Sequence, residues 1–119
     1  MIRKYDADSI LWNWARWCWS GETVGNMSQF IPYEDNPQPI NTEQAEKVER
    51  LHKTLPQHEQ MVVIAEYTQR NGIFAGLNAK QRLEKAQRWI NSVTGVWLRE
   101  AEYSQRLDLF KDLVYREVA

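Results

Sequence analysis

Apolar side chains recur along this chain at intervals of three and four residues, the period of an α-helix that is packed on one side. Trp12 and Trp19 point partly to other sides of the first such stretch. Its main face carries Ile10, Trp14, Trp17 and Cys18. We therefore predict a tryptophan-rich helix over 6–20 that is apolar on more than one side.

Four later stretches show the same period. Their apolar stripes are Ala45, Val48 and Leu51; Met61, Val62, Ile64, Ala65 and Tyr67; Leu83, Ala86, Trp89 and Ile90; and Val96, Tyr103, Leu107, Phe110 and Val114. No stretch alternates with period two for long enough to require a strand. The pattern predicts an all-α fold, a small single-domain bundle of five or six helices over 1–119. Whether 92–118 forms one helix or two is open.

Polar capping signals predict where these helices begin. Asp6 or Asp8 is placed to accept hydrogen bonds from the free amides of the first helix. Pro56 suits the first turn of a middle helix. Two other starts pair an asparagine with a glutamine three residues later, which is typical of a capping box: Asn41 with Gln44, and Asn78 with Gln81.

Glycine, proline and asparagine predict the ends and breaks. Gly21 ends the first helix and opens a loop over 21–40 that is rich in glycine and proline. Asn71–Gly72 supplies a left-handed residue after a helix that runs to about Arg70. A break is predicted at Asn91–Ser92. The helical part therefore extends over the rest of the chain, 41–119.

Composition and charge exclude several classes of protein. With 15 Lys and Arg against 16 Asp and Glu, the chain is not a histone-like binder that relies on bulk positive charge. Cys18 is the single cysteine, so we expect neither an intramolecular disulfide nor a cysteine-rich zinc site, and a reducing setting inside the cell fits. The opening residues are not typical of a signal peptide, and no apolar run is long enough to span a bilayer. We expect a cytoplasmic protein without a membrane partner.

Residues that could carry out catalysis are few. His52 and His58 match neither the spacing of a zinc-binding helix nor a nucleophile motif, and we interpret both as surface residues. Cys18 lies among tryptophans and fits a small buried side chain better than a nucleophile. The carboxylate pairs Glu34–Asp35 and Glu43/Glu46 have no catalytic neighbours in the sequence. We predict no enzymatic activity, no catalytic or metal-binding residue and no cofactor.

The neutral total conceals an uneven distribution of charge. Residues 80–99 carry five cations against one carboxylate, a balance of +4, whereas 43–66 carry five acids against three cations, a balance of −2. Polar and basic side chains at the start of a second helix are typical of a helix-turn-helix, because they reach base edges while their neighbours hold phosphate. A solvated helix face that is merely basic is the alternative. We predict a helix-turn-helix-like unit over 78–103, with nucleic acid contacted by Lys80, Arg82, Lys85, Arg88, Ser92, Thr94 and Arg99.

Three motifs together resemble a known family. The first is Ile10-Leu11-Trp12-Asn13-Trp14-Ala15-Arg16-Trp17, which is similar to a Trp-x-x-Trp-Ala-Arg opening before a loop rich in Gly, Ser and Pro. The second is Ala45-Glu46-Lys47-Val48-Glu49-Arg50 followed by Leu55-Pro56-x-x-Glu59, Val62-Val63-Ile64 and Tyr67. The third is the basic segment 78–103. They resemble the late antitermination proteins of lambda-like phages, called Q, in the branch whose DNA-binding part is similar to sigma factor region 4.

This resemblance implies a non-enzymatic regulator that acts in the cytoplasm of a bacterial host. A protein of this family binds a double-stranded DNA element at a phage late promoter, contacts paused RNA polymerase and travels with it as a terminator-resistant complex. In this sequence, the resemblance implies two sets of DNA contacts: Lys80, Arg82, Lys85 and Arg88 at phosphates, and Ser92, Thr94 and Arg99 nearer the bases.

A second hypothesis is a small phage or mobile-element protein that binds and inhibits or modifies a host protein complex without binding DNA. The near-neutral charge and the long loop suit this hypothesis. It makes Trp12 or Trp19 an exposed anchor for the protein partner, since aromatic residues contribute strongly to interfaces. The alternative for this helix is purely structural: Trp14 and Trp17 fill the core and hold together the two ends of a small bundle.

Overall fold

Five α-helices and no strand are found in the residues that the computed structural model describes, 6–19, 40–70 and 72–118. The helices are α1 Ala7–Trp19, α2 Thr42–Lys53, α3 Gln57–Glu66, α4 Ala79–Thr94 and α5 Glu100–Val118. The prediction of an all-α fold is confirmed. The predicted loop over 21–40 lies outside the described residues except for Ile40.

The starts of α1, α2 and α4 agree with the capping signals in the sequence, whereas α5 begins at Glu100 and not after Asn91–Ser92 as predicted. Asp6 Oδ1 accepts a hydrogen bond from the amide of Ser9 at 2.7 Å, so Asp6 rather than Asp8 caps α1. The full capping box forms at α4, where Asn78 Oδ1 accepts from the Gln81 amide and Gln81 Oε1 accepts from the Asn78 amide. At α2, Asn41 Oδ1 accepts from the amide of Gln44 at 3.0 Å. Pro56 lies one position earlier than predicted, at the N-cap of α3.

The helix ends differ from the predictions. The third helix ends at Glu66, four residues before Arg70, and the chain continues as turns over 67–70. Gly72 does not adopt a positive φ, so the prediction of a left-handed residue there is wrong for Gly72, and Asn71 lies outside the described residues.

The predicted break at Asn91–Ser92 is also wrong, because α4 continues through it to Thr94. Ser92 Oγ donates to the carbonyl oxygen of Trp89 at 2.7 Å, so the hydroxyl group finds an acceptor within the helix and does not end it. Gly95 ends α4 instead, with a φ of 77° that a side chain would disfavour. The segment 92–118 therefore contains one whole helix, α5, which follows the last residues of α4 (92–94) and a connector over 95–99.

Two clusters of buried side chains form the core, and Leu107 of α5 packs against both. The first cluster joins α1 to α2 and α5, with Trp14, Val48 and Phe110 among its members. The second joins α3 to α4 and α5 around Val62, Ala86, Ile90 and Tyr103. The helix α3 thus positions α4, the helix that carries most of the predicted DNA contacts.

Candidate nucleic-acid interface

Helix α4 has a buried side and a charged side. Arg82, Ala86 and Ile90 are buried where α4 packs against α3. The opposite side is exposed and carries Lys80, Gln81, Lys85, Arg88 and Ser92. One carboxylate, that of the half-exposed Glu84, lies beside Arg88 on α4. An exposed helix side with three cations and one carboxylate can meet a polyanion.

Arg82 does not belong to that exposed side, contrary to the prediction. Its side chain is 9% exposed, and its Nε donates to Glu66 Oε1 at 2.9 Å. Tyr103 donates its hydroxyl proton to the other oxygen of Glu66 at 2.8 Å. Arg82 therefore joins α4 to α3 and is unable to contact phosphate without breaking a buried ion pair.

Ser92 and Thr94 do not lie at the start of a following helix, as predicted, but in the last turn of α4. Thr94 Oγ1 donates to the carbonyl oxygen of Ile90 at 2.8 Å and accepts from the amide of Val96 at 3.1 Å. Both hydroxyl groups are thus hydrogen-bonded to the backbone at the end of α4. These two residues were predicted to contact bases because the break between the helices was expected at Asn91–Ser92.

Three of the other predicted cations, Lys85, Arg88 and Arg99, are exposed but have partners nearby. Arg88 lies 3.9 Å from Glu84, and Arg99 Nε donates to Glu102 Oε1 at 3.2 Å. Their side chains are 75% and 80% exposed, so these are surface pairs that contribute little and exchange readily for phosphate. The ammonium group of Lys85 lies over the ring of Phe74 and donates to the carbonyl oxygen of Ile73.

The start of α5 differs in charge from α4. Arg99 is the residue before the helix, and its amide donates to Glu102 Oε1 at 3.0 Å. The exposed residues that follow include Glu100 and Asp108. Since carboxylates repel phosphate, the first turns of α5 are a poorer surface for DNA than the exposed side of α4.

The tryptophans predicted as partner anchors are placed differently from the prediction. Trp19 is 4% exposed, and its ring nitrogen donates to the carbonyl oxygen of Thr68, so it is a core residue. Trp12 is half-buried, with the ring of Tyr67 at 5.1 Å and the Arg70 guanidinium 5.7 Å from its ring centre.

The most exposed tryptophan of the described residues is Trp97, which was not among the predicted partner anchors. It is 51% exposed in the connector between α4 and α5, and Val93 in the last turn of α4 is 52% exposed. A signal was present, because Trp97 falls outside the helical stripe that begins at Val96. Because the break was predicted at Asn91–Ser92, Trp97 was placed inside a helix and not in a connector.

Two of the groups considered for catalysis, Cys18 and His52, are buried. Cys18 lies in the core, which confirms its interpretation as a buried side chain. Burial, reinforced by the charge of Glu49, raises the pKa of its thiol to about 12. His52 is 5% exposed, so the prediction of a surface histidine is wrong for this residue. Among the described residues, no group of three or more His, Cys, Asp or Glu side chains could hold a metal ion.

None of the described helices has an apolar stretch long enough to cross a membrane. No family model, no curated protein and no solved structure matches this chain. The resemblance to the Q proteins, and the activity and partners that it implies, therefore stay predictions.

Proposed function

We propose that this protein is a DNA-binding transcription regulator of the phage type, in which the exposed side of α4 lies against duplex DNA. In this proposal Lys80, Lys85 and Arg88 contact phosphates. Helix α4 presents these side chains while it packs against α3, and Arg82 joins the two helices and does not contact DNA. Antitermination together with RNA polymerase is the particular activity that the resemblance to the Q proteins supports.

One observation carries the proposal. The exposed side of α4 holds three cations, while its buried side packs against α3. The first turns of α5, the other helix of the predicted unit, expose Glu100 and Asp108 instead. Of the two helices, α4 is therefore the one whose charge favours the DNA backbone.

Salt-dependent binding to a labelled DNA duplex tests the proposal. Fluorescence anisotropy compares the wild type with a variant of α4, Lys80→Gln/Lys85→Gln/Arg88→Gln, and with a variant of α2, Lys47→Gln/Arg50→Gln/Lys53→Gln. The three α2 cations are exposed, so both variants lose the same charge.

We expect the α4 variant to bind more weakly and to lower the slope of log affinity against log salt by about 0.9 for each phosphate that it no longer neutralises. The α2 variant should keep most of the affinity and the slope. Equal losses in the two variants, or no binding by the wild type at low salt, would contradict the proposal.

Binding to a host protein complex without DNA is the second candidate, and the exposure of Trp97 and Val93 favours it. Exposed aromatic side chains often anchor protein interfaces. The anchor is then the connector between α4 and α5, not Trp12 or Trp19. Affinity capture from nuclease-treated host extract should recover the same partner with the wild type and with Ile73→Ala, another exposed apolar residue, but not with Trp97→Ala. Capture that survives Trp97→Ala, or that is lost after nuclease treatment, would contradict this second candidate.

A further inference from the structure

A groove of about 700 Å³ lies between α4 and α5, with Glu66 of α3 at its base. The first half of α4 forms one wall, and α5 from Glu100 to Asp108 forms the other. Its volume is in the range of sites that bind small ligands or a few side chains of a partner.

The charged and polar groups at the base of the groove are paired with one another. The carboxylate of Glu66 accepts from Arg82 Nε at 2.9 Å and from the Tyr103 hydroxyl at 2.8 Å. Burial, with the nearby charge of Glu66, raises the pKa of Tyr103, so its hydroxyl keeps the proton that it donates. A ligand in the groove therefore meets a preformed surface whose own charges are already paired.

The rim of the groove has a different character. Three carboxylates line it, from Glu84, Glu100 and Asp108, against the single ammonium group of Lys80. Below them the half-buried side chains of Leu83 and Leu107 provide apolar surface. The rim repels phosphate and attracts cations, and the apolar surface below it suits aliphatic side chains.

We propose that this groove is a docking site for a cationic, amphipathic segment of a partner protein. Lysine or arginine side chains of that segment meet Glu100 and Asp108, and its apolar side chains lie on Leu83 and Leu107. The proposal does not depend on DNA binding, because two of the three cations proposed for DNA, Lys85 and Arg88, lie outside the groove and only Lys80 is at its rim.

The test uses a labelled helical peptide with leucine and lysine at helical spacing, and a control peptide with glutamate in place of lysine. Ser104 lines the groove, whereas Gln105 is exposed on the same helix and does not line it. The variants Ser104→Trp and Gln105→Trp therefore compare a filled groove with an open one. Circular dichroism confirms that each variant keeps the fold.

We expect the lysine peptide to bind the wild type saturably and the glutamate peptide not to bind. Ser104→Trp should weaken peptide binding by at least about tenfold, the loss expected when a buried anchor is displaced, and Gln105→Trp should not change it. Equal binding by these two variants, or failure of the lysine peptide to bind the wild type, would overturn the proposal.

A second pair of variants tests the role of charge. Glu100→Gln/Asp108→Asn should weaken binding of the lysine peptide roughly fivefold, since each exposed ion pair contributes modestly. Glu43→Gln/Glu46→Gln removes the same charge from the exposed side of α2 and should have no effect. Equal weakening by the two pairs would show that the peptide responds to net charge and not to the groove, and would overturn the proposal. Glu100→Gln/Asp108→Asn keeps every α4 cation, so its DNA affinity reports separately on the proposed function.

Discussion

Asn13 and Asn41 are joined by two hydrogen bonds across 28 residues of the chain. Asn13 Nδ2 donates to the carbonyl oxygen of Asn41 at 2.9 Å, and the amide of Asn41 donates to Asn13 Oδ1 at 2.9 Å. The side-chain amide of α1 thus pairs with the backbone at the start of α2. The Asn41 amide is thereby satisfied by Asn13, the role that the side chain of Gln44 has in a complete capping box.

Removing this pairing should cost stability. Asn13 is 5% exposed, so Asn13→Ala loses both bonds and is expected to lower the free energy of unfolding by about 1–3 kcal/mol. Asn13→Asp should cost at least as much, because it replaces the donor with an oxygen that faces the Asn41 carbonyl. Urea unfolding measures both, with the exposed Asn91→Ala as a control within about 0.5 kcal/mol of the wild type. Equal stability of Asn13→Ala and Asn91→Ala would contradict this role.

Arg82 and Arg88 lie six positions apart on α4, and we expect substitution of Arg82 to affect stability and substitution of Arg88 to affect DNA binding. Arg82→Met leaves the carboxylate of Glu66 buried without its cation, and we expect a loss of about 3 kcal/mol in urea unfolding. Arg88→Met removes a highly exposed side chain and should change stability by less than about 0.5 kcal/mol while weakening DNA binding.

A double variant separates the ion pair from the rest of the Arg82 side chain. Glu66→Gln/Arg82→Met removes both charges and should be more stable than Arg82→Met alone. A stable Arg82→Met protein that has lost DNA affinity would return Arg82 to the role predicted from the sequence.

His52 should make the fold sensitive to acid. Its ring lies 4.9 Å from that of Trp14 and 5.9 Å from that of Phe110, and its Nε2 donates to the carbonyl oxygen of Gln60 at 3.1 Å. Burial lowers the pKa of His52, although the bond to Gln60 and the charge of Glu49 oppose this. The unfolded chain then binds a proton more readily than the folded chain below the ordinary histidine pKa of about 6.5.

The free energy of unfolding should therefore decrease as the pH falls through this range, since the proton favours the unfolded state. Urea unfolding at a series of pH values should show a smaller decrease for His52→Gln, whose side-chain amide can still donate to Gln60. His58→Gln, which removes the half-exposed histidine, should follow the wild type. If His52→Gln and the wild type lose stability in parallel, His52 does not cause the acid sensitivity.

The starts of α1, α2 and α4 could be predicted from the sequence because a cap is local. Asp6, Asn41 and Asn78 each accept from an amide three residues ahead, within reach of any chain that begins a helix there. The end of α4 was harder to predict, because Asn91 and Ser92 have only weak preferences against a helix. Gly95, which can adopt a positive φ without strain, is the residue that ends it.

The candidate site was less predictable, because burial depends on residues far apart in the sequence. Arg82 matches its exposed neighbours in type, although it lies four residues before Ala86 and eight before Ile90, on their buried side. Its partner Glu66, 16 residues earlier, leaves no local signal in the sequence. Trp19 is buried through Thr68, 49 residues later. Neither pairing leaves a periodic pattern, whereas Lys80, Lys85 and Arg88 lie on the exposed side that the helical period alone identifies.

The most direct test of the account is an NMR titration of the isotope-labelled protein with a short DNA duplex at low salt. We predict that the amide signals of α4 around Lys80, Lys85 and Arg88 shift most, while those of α5 between Glu100 and Asp108 change little. Shifts centred on the first turns of α5, or no saturable shift in α4, would contradict the claim that the exposed side of α4 binds DNA.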